Sequence, residues 1–170
     1  MRQRAVIALA LACTPKLLIA DEPTTALDVT TEAQILELMR DLQREMNMAI
    51  LFITHDLGII AEMADSAVVM YLGSIVEQAD IKTLFNHPKH PYTQALYNSI
   101  PKLGEGKRDR LDTISGMVPP PYNMPKGCKF HPRCAHFMAN VCDGEEPPLF
   151  DVGEQHGARC YLYNEVRHGD

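Results

Sequence analysis

Apolar positions in the first half of the chain follow periods that alternate between strand and helix. Residues 1–13 are rich in Ala and Leu and predict a helix, stopped ahead of Pro15. "KLLIA", residues 16–20, is a short continuous apolar run, the pattern of a parallel strand covered on both faces. Asp28 or Thr30 can cap a helix running to about Glu45, with Ile35, Leu38, Leu42 and Met46 in helical spacing. "AILFIT", residues 49–54, predicts a second buried strand, and residues 57–64 a short helix. "SAVVMYLGSIVEQA", residues 66–79, reads as two strands that turn at Leu72–Gly73. Strands and helices alternating at these intervals predict an α/β fold.

From Asp80 the pattern changes. "DIKTLFNHPKHPYTQALYNSIPKL", residues 80–103, predicts a capped helix, a proline-broken connection and a second helix from about Pro91 to Ser99. "GEGKRDR", residues 104–110, reads as a charged turn. "MVPPPYNMPKG", residues 117–127, is proline-rich and extended, a linker or a wrapping arm. The tail beyond it has little periodic pattern, and no internal repeat is present.

Charge and cysteine usage narrow the classes of function. The net charge of −6 and pI near 5.6 argue against a protein built to grip nucleic acid. No apolar run approaches the roughly eighteen residues needed to span a bilayer. Basic residues followed by apolar ones at the N-terminus raise the question of a secretory leader. The apolar part is short and a carboxylate motif follows at once, so a cytoplasmic chain is expected. Cys13 stands alone on the first helix and reads as an inert buried thiol. Cys128, Cys134, Cys142 and Cys160 crowd the last third.

The motif is "LLIADEPTTALD", residues 17–28. The strand delivers Asp21 to the C-terminal edge of a sheet, where open α/β sheets bind ligands. An aspartate there can hold Mg²⁺, usually through water, because the ion favours hard oxygen ligands and keeps part of its hydration shell. Glu22 can orient and deprotonate the water that attacks a γ-phosphate. Pro23 turns the chain and keeps both carboxylates at the strand end. Asp28 follows on the turn, and "ITHD" puts His55 at the end of the next strand. Each residue alone is commonplace; in this order on adjacent strands they are specific.

On these residues the sequence resembles the ATP-binding subunits of ABC transporters. "LLIADEP" resembles their Walker B motif, "TTALD" their D-loop and "ITHD" their switch histidine; "MRQR" resembles the residues just after the signature motif. The resemblance implies a truncated P-loop nucleotidase-type core with mainly parallel strands over 1–80, and a Cys-containing C-terminal extension over 81–170. It implies Glu22 and His55 as catalytic residues, and Asp21 and Asp28 as residues of the ATP and Mg²⁺ site. The 170 residues contain no glycine-rich phosphate loop, glutamine loop or signature core. Without the loop amides and lysine that cradle phosphates, little ATP turnover is expected from this chain alone, and a C-terminal fragment is the expected status. Strands 16–20 and 49–54, lacking sheet neighbours, are expected to leave apolar edges.

"HPKHPYTQAL", residues 87–96, and "CKFHPRCAHFMANVC", residues 128–142, resemble the hallmarks of oligopeptide and dipeptide importer subunits. The implied partners are a second ATPase subunit, membrane permease subunits on the cytoplasmic face and, indirectly, a peptide-binding protein; nickel uptake is the less frequent substrate. His87–Tyr92 itself reads as a helix-entry turn stiffened by two prolines, with a packing job rather than a catalytic one. The cysteine gaps of five, seven and seventeen residues contain no close C-x₂₋₄-C pair, as zinc sites usually do. A reducing cytoplasm disfavours disulfides. A [4Fe–4S] cluster, which the resemblance implies for some members of the subfamily, ranks first, unligated or oxidised thiols second and zinc third. Its role would be to staple a loop-rich tail. Lys129 and Arg133 among these cysteines read as solvated charges. The rival function is a non-catalytic metal- or iron–sulfur-binding interaction module.

Overall fold

The computed structural model describes residues 2–99 and 114–167 and divides into two compact units, residues 1–64 and 65–170. The charged stretch at 104–110 lies outside the described residues.

In the first unit, α1 (Arg2–Leu11) precedes strand β1 (Leu17–Asp21), helix α2 (Val29–Met46), strand β2 (Ala49–Ile53) and helix α3 (Leu57–Met63). β1 and β2 pair in parallel, Leu17 with Ala49 through Asp21 with Ile53. Asp28 settles where α2 begins, its carboxylate accepting the Thr31 N–H at 2.9 Å and the Thr31 hydroxyl at 2.7 Å. Asn47, left-handed at φ 48°, ends the helix.

One face of the β1–β2 pair is packed. Ala20 joins Ile35 and Met39 of α2 in the core, with Leu18, Ile50 and Phe52 against it. The opposite face carries Leu17, Ile19, Leu51 and Ile53, 46–60% exposed. These strands were expected to be buried on both sides. Here α2 covers one side only, since alternate side chains point to opposite faces.

The second unit is built on an antiparallel sheet in the order β3-β4-β6-β5. β3 (Ser66–Tyr71) and β4 (Ser74–Asp80) form the expected hairpin, with Leu72 and Gly73 both at positive φ, as a two-residue turn of this kind demands. β5 (Phe150–Gly153) and β6 (His156–Ala158) add a second hairpin from the tail. The expectation of mainly parallel strands therefore holds for β1 and β2 alone. Two strands joined by a two-residue turn cannot run parallel, which needs a crossover of a dozen or more residues.

Asp80 caps α4 (Ile81–Asn86), and His90 caps α5 (Pro91–Asn98), with Pro91 at its first turn. Tyr71, Val76 and Phe130 form the core, with Tyr92, Ile114, Cys128 and Cys134 packed on it. The 117–127 segment has no regular structure. Arg133 donates to the Ile114 and Ser115 carbonyls and Lys129 to the Leu72 carbonyl, so neither is simply a solvated charge.

Candidate functional site

Among the described residues three clusters bear chemistry, one in the first unit and two in the second. The first sits where β1 and β2 end together. Parallel pairing in register puts Asp21 opposite Ile53, and the Glu22 N–H extends the ladder by one bond to the Ile53 carbonyl, 2.8 Å. Glu22 has φ 43°, a left-handed conformation that a non-glycine residue adopts at a cost. The turn after it holds this geometry: Thr25 N–H bonds the Glu22 carbonyl, and the Gln3 amide on α1 donates to the Pro23 carbonyl.

The Glu22 carboxylate meets His55 Nδ1 at 3.0 Å through one oxygen and accepts the Thr25 hydroxyl at 3.0 Å through the other. His55, and next Thr25, hold its carboxyl below the usual carboxylate range. Both side chains are open to solvent, His55 at 81% exposure. Asp21 is exposed at the same strand end. The structure thus brings Asp21, Glu22 and His55 together. Asp28 is engaged in capping α2, and the Thr31 hydroxyl first, then its N–H, lower its carboxyl. Asp56, unassigned in the sequence reading, caps α3 through the Gly58 and Ile59 N–H groups and so positions the chain just after His55.

The second cluster is buried in the second unit. Glu77 on β4 is fully buried and accepts the Lys89 and His90 N–H groups at 2.6 and 2.9 Å. His156 Nε2 on β6 meets the same carboxylate at 2.7 Å. The His87–Tyr92 segment is therefore pinned to the sheet through its backbone, which gives its two prolines a rigid seat. His90 turns Nδ1 to accept the Tyr92 N–H at 3.1 Å. Burial pushes the His90 imidazole down to about 4, against the opposing pull of Glu77. Sequence reasoning missed Glu77 and His156. The only available signal was a carboxylate placed within an otherwise strand-like run.

Cys128, Cys134, Cys142 and Cys160 all line one nearly closed pocket of about 10 Å³, together with His90 and Phe130. Gly127 makes this possible. At φ 68° its missing Cβ would stand 2.4 Å from the Cys142 carbonyl oxygen, which the Cys128 N–H reaches at 2.8 Å. Burial raises the Cys128 and Cys134 thiols and pushes Cys160 up to about 11. Among the described residues, no group of three or more His, Cys, Asp or Glu is gathered closely enough to hold a metal ion. The geometry therefore supports neither of the expected metal groups, the iron–sulfur cluster or zinc. Cys13 is exposed, against the expectation of a buried thiol on the first helix: α1 ends at Leu11 and Cys13 lies in the turn beyond it. Among the described residues no helix is long and apolar enough to cross a membrane.

The family model described as "Oligopeptide/dipeptide transporter, C-terminal region" matches residues 76–142, the stretch from β4 through Cys142. Over these residues the chain is similar to that family. It is 53% identical over 97% of its length to the oligopeptide transport ATP-binding protein AppD of Bacillus subtilis. It is 48% identical over 95% of its length to the dipeptide transport ATP-binding protein DppD of Escherichia coli. It spans about half the length of these relatives, 50% and 49%. Likeness running through both units to ATP-binding subunits disfavours a separately derived interaction module.

Proposed function

We propose that this chain is the hydrolytic-side part of an ATP-binding subunit that powers import of di- or oligopeptides, peripheral to the cytoplasmic face of a membrane. The supporting observation is the Glu22–His55 pair at 3.0 Å beside Asp21, at the C-terminal ends of two parallel strands. Glu22, ionised through its hydrogen bonds, accepts the proton of the attacking water, and His55 holds that carboxylate in place. Asp21, a solvated carboxylate at the strand end, is the residue that would hold Mg²⁺, which neutralises phosphate charge when bound. Asp28 serves the turn by capping α2. The exposed face of Leu17, Ile19, Leu51 and Ile53 is suited to further strands or helices of the same subunit. In the assembled transporter the partners are a second ATP-binding subunit and permease subunits, with a peptide-binding protein acting indirectly.

The test joins this chain to the remaining half of the Bacillus subtilis relative, which shares 53% identity with it, and compares ATP hydrolysis with and without Glu22→Gln. Loss of the base is expected to lower turnover by roughly 10²–10⁴-fold. Equal turnover would overturn the reading.

The cysteine pocket is read as the seat of a [4Fe–4S] group that staples the tail. The supporting observation is that four thiols line one pocket. A multi-iron cluster takes one thiolate at each of four separate iron atoms, so its ligands need not crowd around a single ion. At about 10 Å³ the pocket must widen to take such a group. Iron and zinc analysis with visible absorbance after anaerobic purification tests this; a colourless zinc protein reverses it.

A further inference from the structure

The Glu22 carboxylate has two oxygens, and each is tied to a different side chain. His55 Nδ1 meets Oε1 at 3.0 Å, and the Thr25 hydroxyl donates to Oε2 at 3.0 Å. Among the described residues no other donor reaches Oε2. The terminal torsion of a glutamate is broad and roughly two-fold, so a single tether leaves the carboxylate plane free to turn. Two tethers on opposite oxygens fix it. Each oxygen keeps a further acceptor site, and the Glu22 side chain is 46% exposed, so those sites stay open. The backbone serves the same end. Glu22 and Ala26, at φ 43° and 65°, are both left-handed without being glycine, and the Thr25 N–H closes on the Glu22 carbonyl at 3.2 Å. Such conformations persist only where the surroundings over-determine them, and they gather at functional sites. As a stabilising contact the Thr25 hydroxyl bond counts for little, because both side chains are exposed and water competes for it.

We propose that Thr25 is a positioning residue for Glu22: its hydroxyl, with His55 on the other oxygen, fixes the plane of the carboxylate so that its open acceptor sites hold one direction. The inference rests on the reading of Glu22 as the general base of ATP hydrolysis. A general base works within about 2.6–3.2 Å of the atom whose proton it takes. Misplacement by about 1 Å costs on the order of 10²-fold in rate. Thr25 takes no proton and acts only through Glu22.

Two variants separate the hydroxyl from the shape of the side chain. Thr25→Val keeps the β-branch and the backbone N–H and removes the donor; Thr25→Ser keeps the donor. In the full chain at one fixed pH, long-range proton–nitrogen NMR spectra read the His55 ring and circular dichroism reads the fold. The expected result is a His55 Nδ1 resonance moved toward that of free imidazole in Thr25→Val and parent-like in Thr25→Ser, with circular dichroism unchanged in both. A parent-like His55 resonance in Thr25→Val overturns the inference. A second readout joins each variant to the remaining half of the Bacillus subtilis relative and measures ATP turnover beside Glu22→Gln. Thr25→Val is expected to lower kcat by up to about 10²-fold with KM unchanged, and Thr25→Ser to restore it. A parent-like kcat in Thr25→Val where Glu22→Gln is slow overturns the inference and leaves the base standing. A parent-like kcat in Glu22→Gln overturns the base and the inference together. If Thr25→Val loses its fold, Thr25→Ala takes its place under the same outcomes.

Discussion

Glu77 and His156 meet at 2.7 Å with their side chains 0% and 2% exposed, and they hold two strands and a loop at one point. The same carboxylate receives the Lys89 and His90 N–H groups, so all its neighbours donate to it. Removing it as Glu77→Ala strands two buried polar groups, the His90 N–H and the His156 ring, and the half-buried Lys89 N–H. We expect a loss of about 3–5 kcal/mol, the cost of breaking a buried pair by deleting one partner. Urea unfolding of the second unit, followed by tyrosine fluorescence, measures it. A loss under about 1 kcal/mol, within the range of surface pairs, would contradict this account.

Gly127→Ala is expected to separate the two cysteine-bearing loops. Its φ of 68° and a Cβ placed 2.4 Å from the Cys142 carbonyl oxygen leave no room that a side-chain shift could supply. Strain of this kind costs about 1–3 kcal/mol. Faster modification of Cys142 in the variant than in the parent is the readout.

Thiol labelling of the metal-free chain should divide the cysteines by burial. Cys13 is exposed, while Cys142 and Cys160 are buried. With Cys160 pushed up to about 11, only about one thiolate in a thousand is present at pH 8. Maleimide labelling read by peptide mass spectrometry is expected to mark Cys13 first and Cys160 last.

Acid is expected to loosen the helix starts. Asp28 and Asp80 cap α2 and α4, and Thr31 and Thr83 hydroxyls chiefly hold their carboxyls below the ordinary 3.8. A carboxyl lowered on folding stabilises above its unfolded value and loses that contribution as pH falls through the folded one. Carboxyl titration by NMR should place both midpoints below 3.8 in the folded chain. Asp28→Asn and Asp80→Asn should flatten the acid limb of the stability profile.

Local rules made much of this chain legible in advance. The helix from Asp28, the Leu72–Gly73 hairpin and the Pro91 helix start all rest on residues within a turn of one another, where capping and backbone preference decide. Asp21, Glu22 and His55 could be assembled from order alone, because in-register parallel strands carry adjacent strand ends to one place. The β5–β6 hairpin escaped because its strands are four and three residues long, too short for a period to register.

What the sequence alone determined is the likeness to peptide-importer ATP-binding subunits, the element order of residues 2–98 and which side chains meet at the ends of β1 and β2. These follow from side chains acting on near neighbours. The tertiary structure alone decided that the second sheet is antiparallel and that Cys13 faces water. It also decided that Glu77 and His156 pair across 79 positions, and that His90 shares a pocket with four cysteines. Those outcomes depend on which surfaces exclude water together, and burial is a property of the packed chain rather than of any stretch of it.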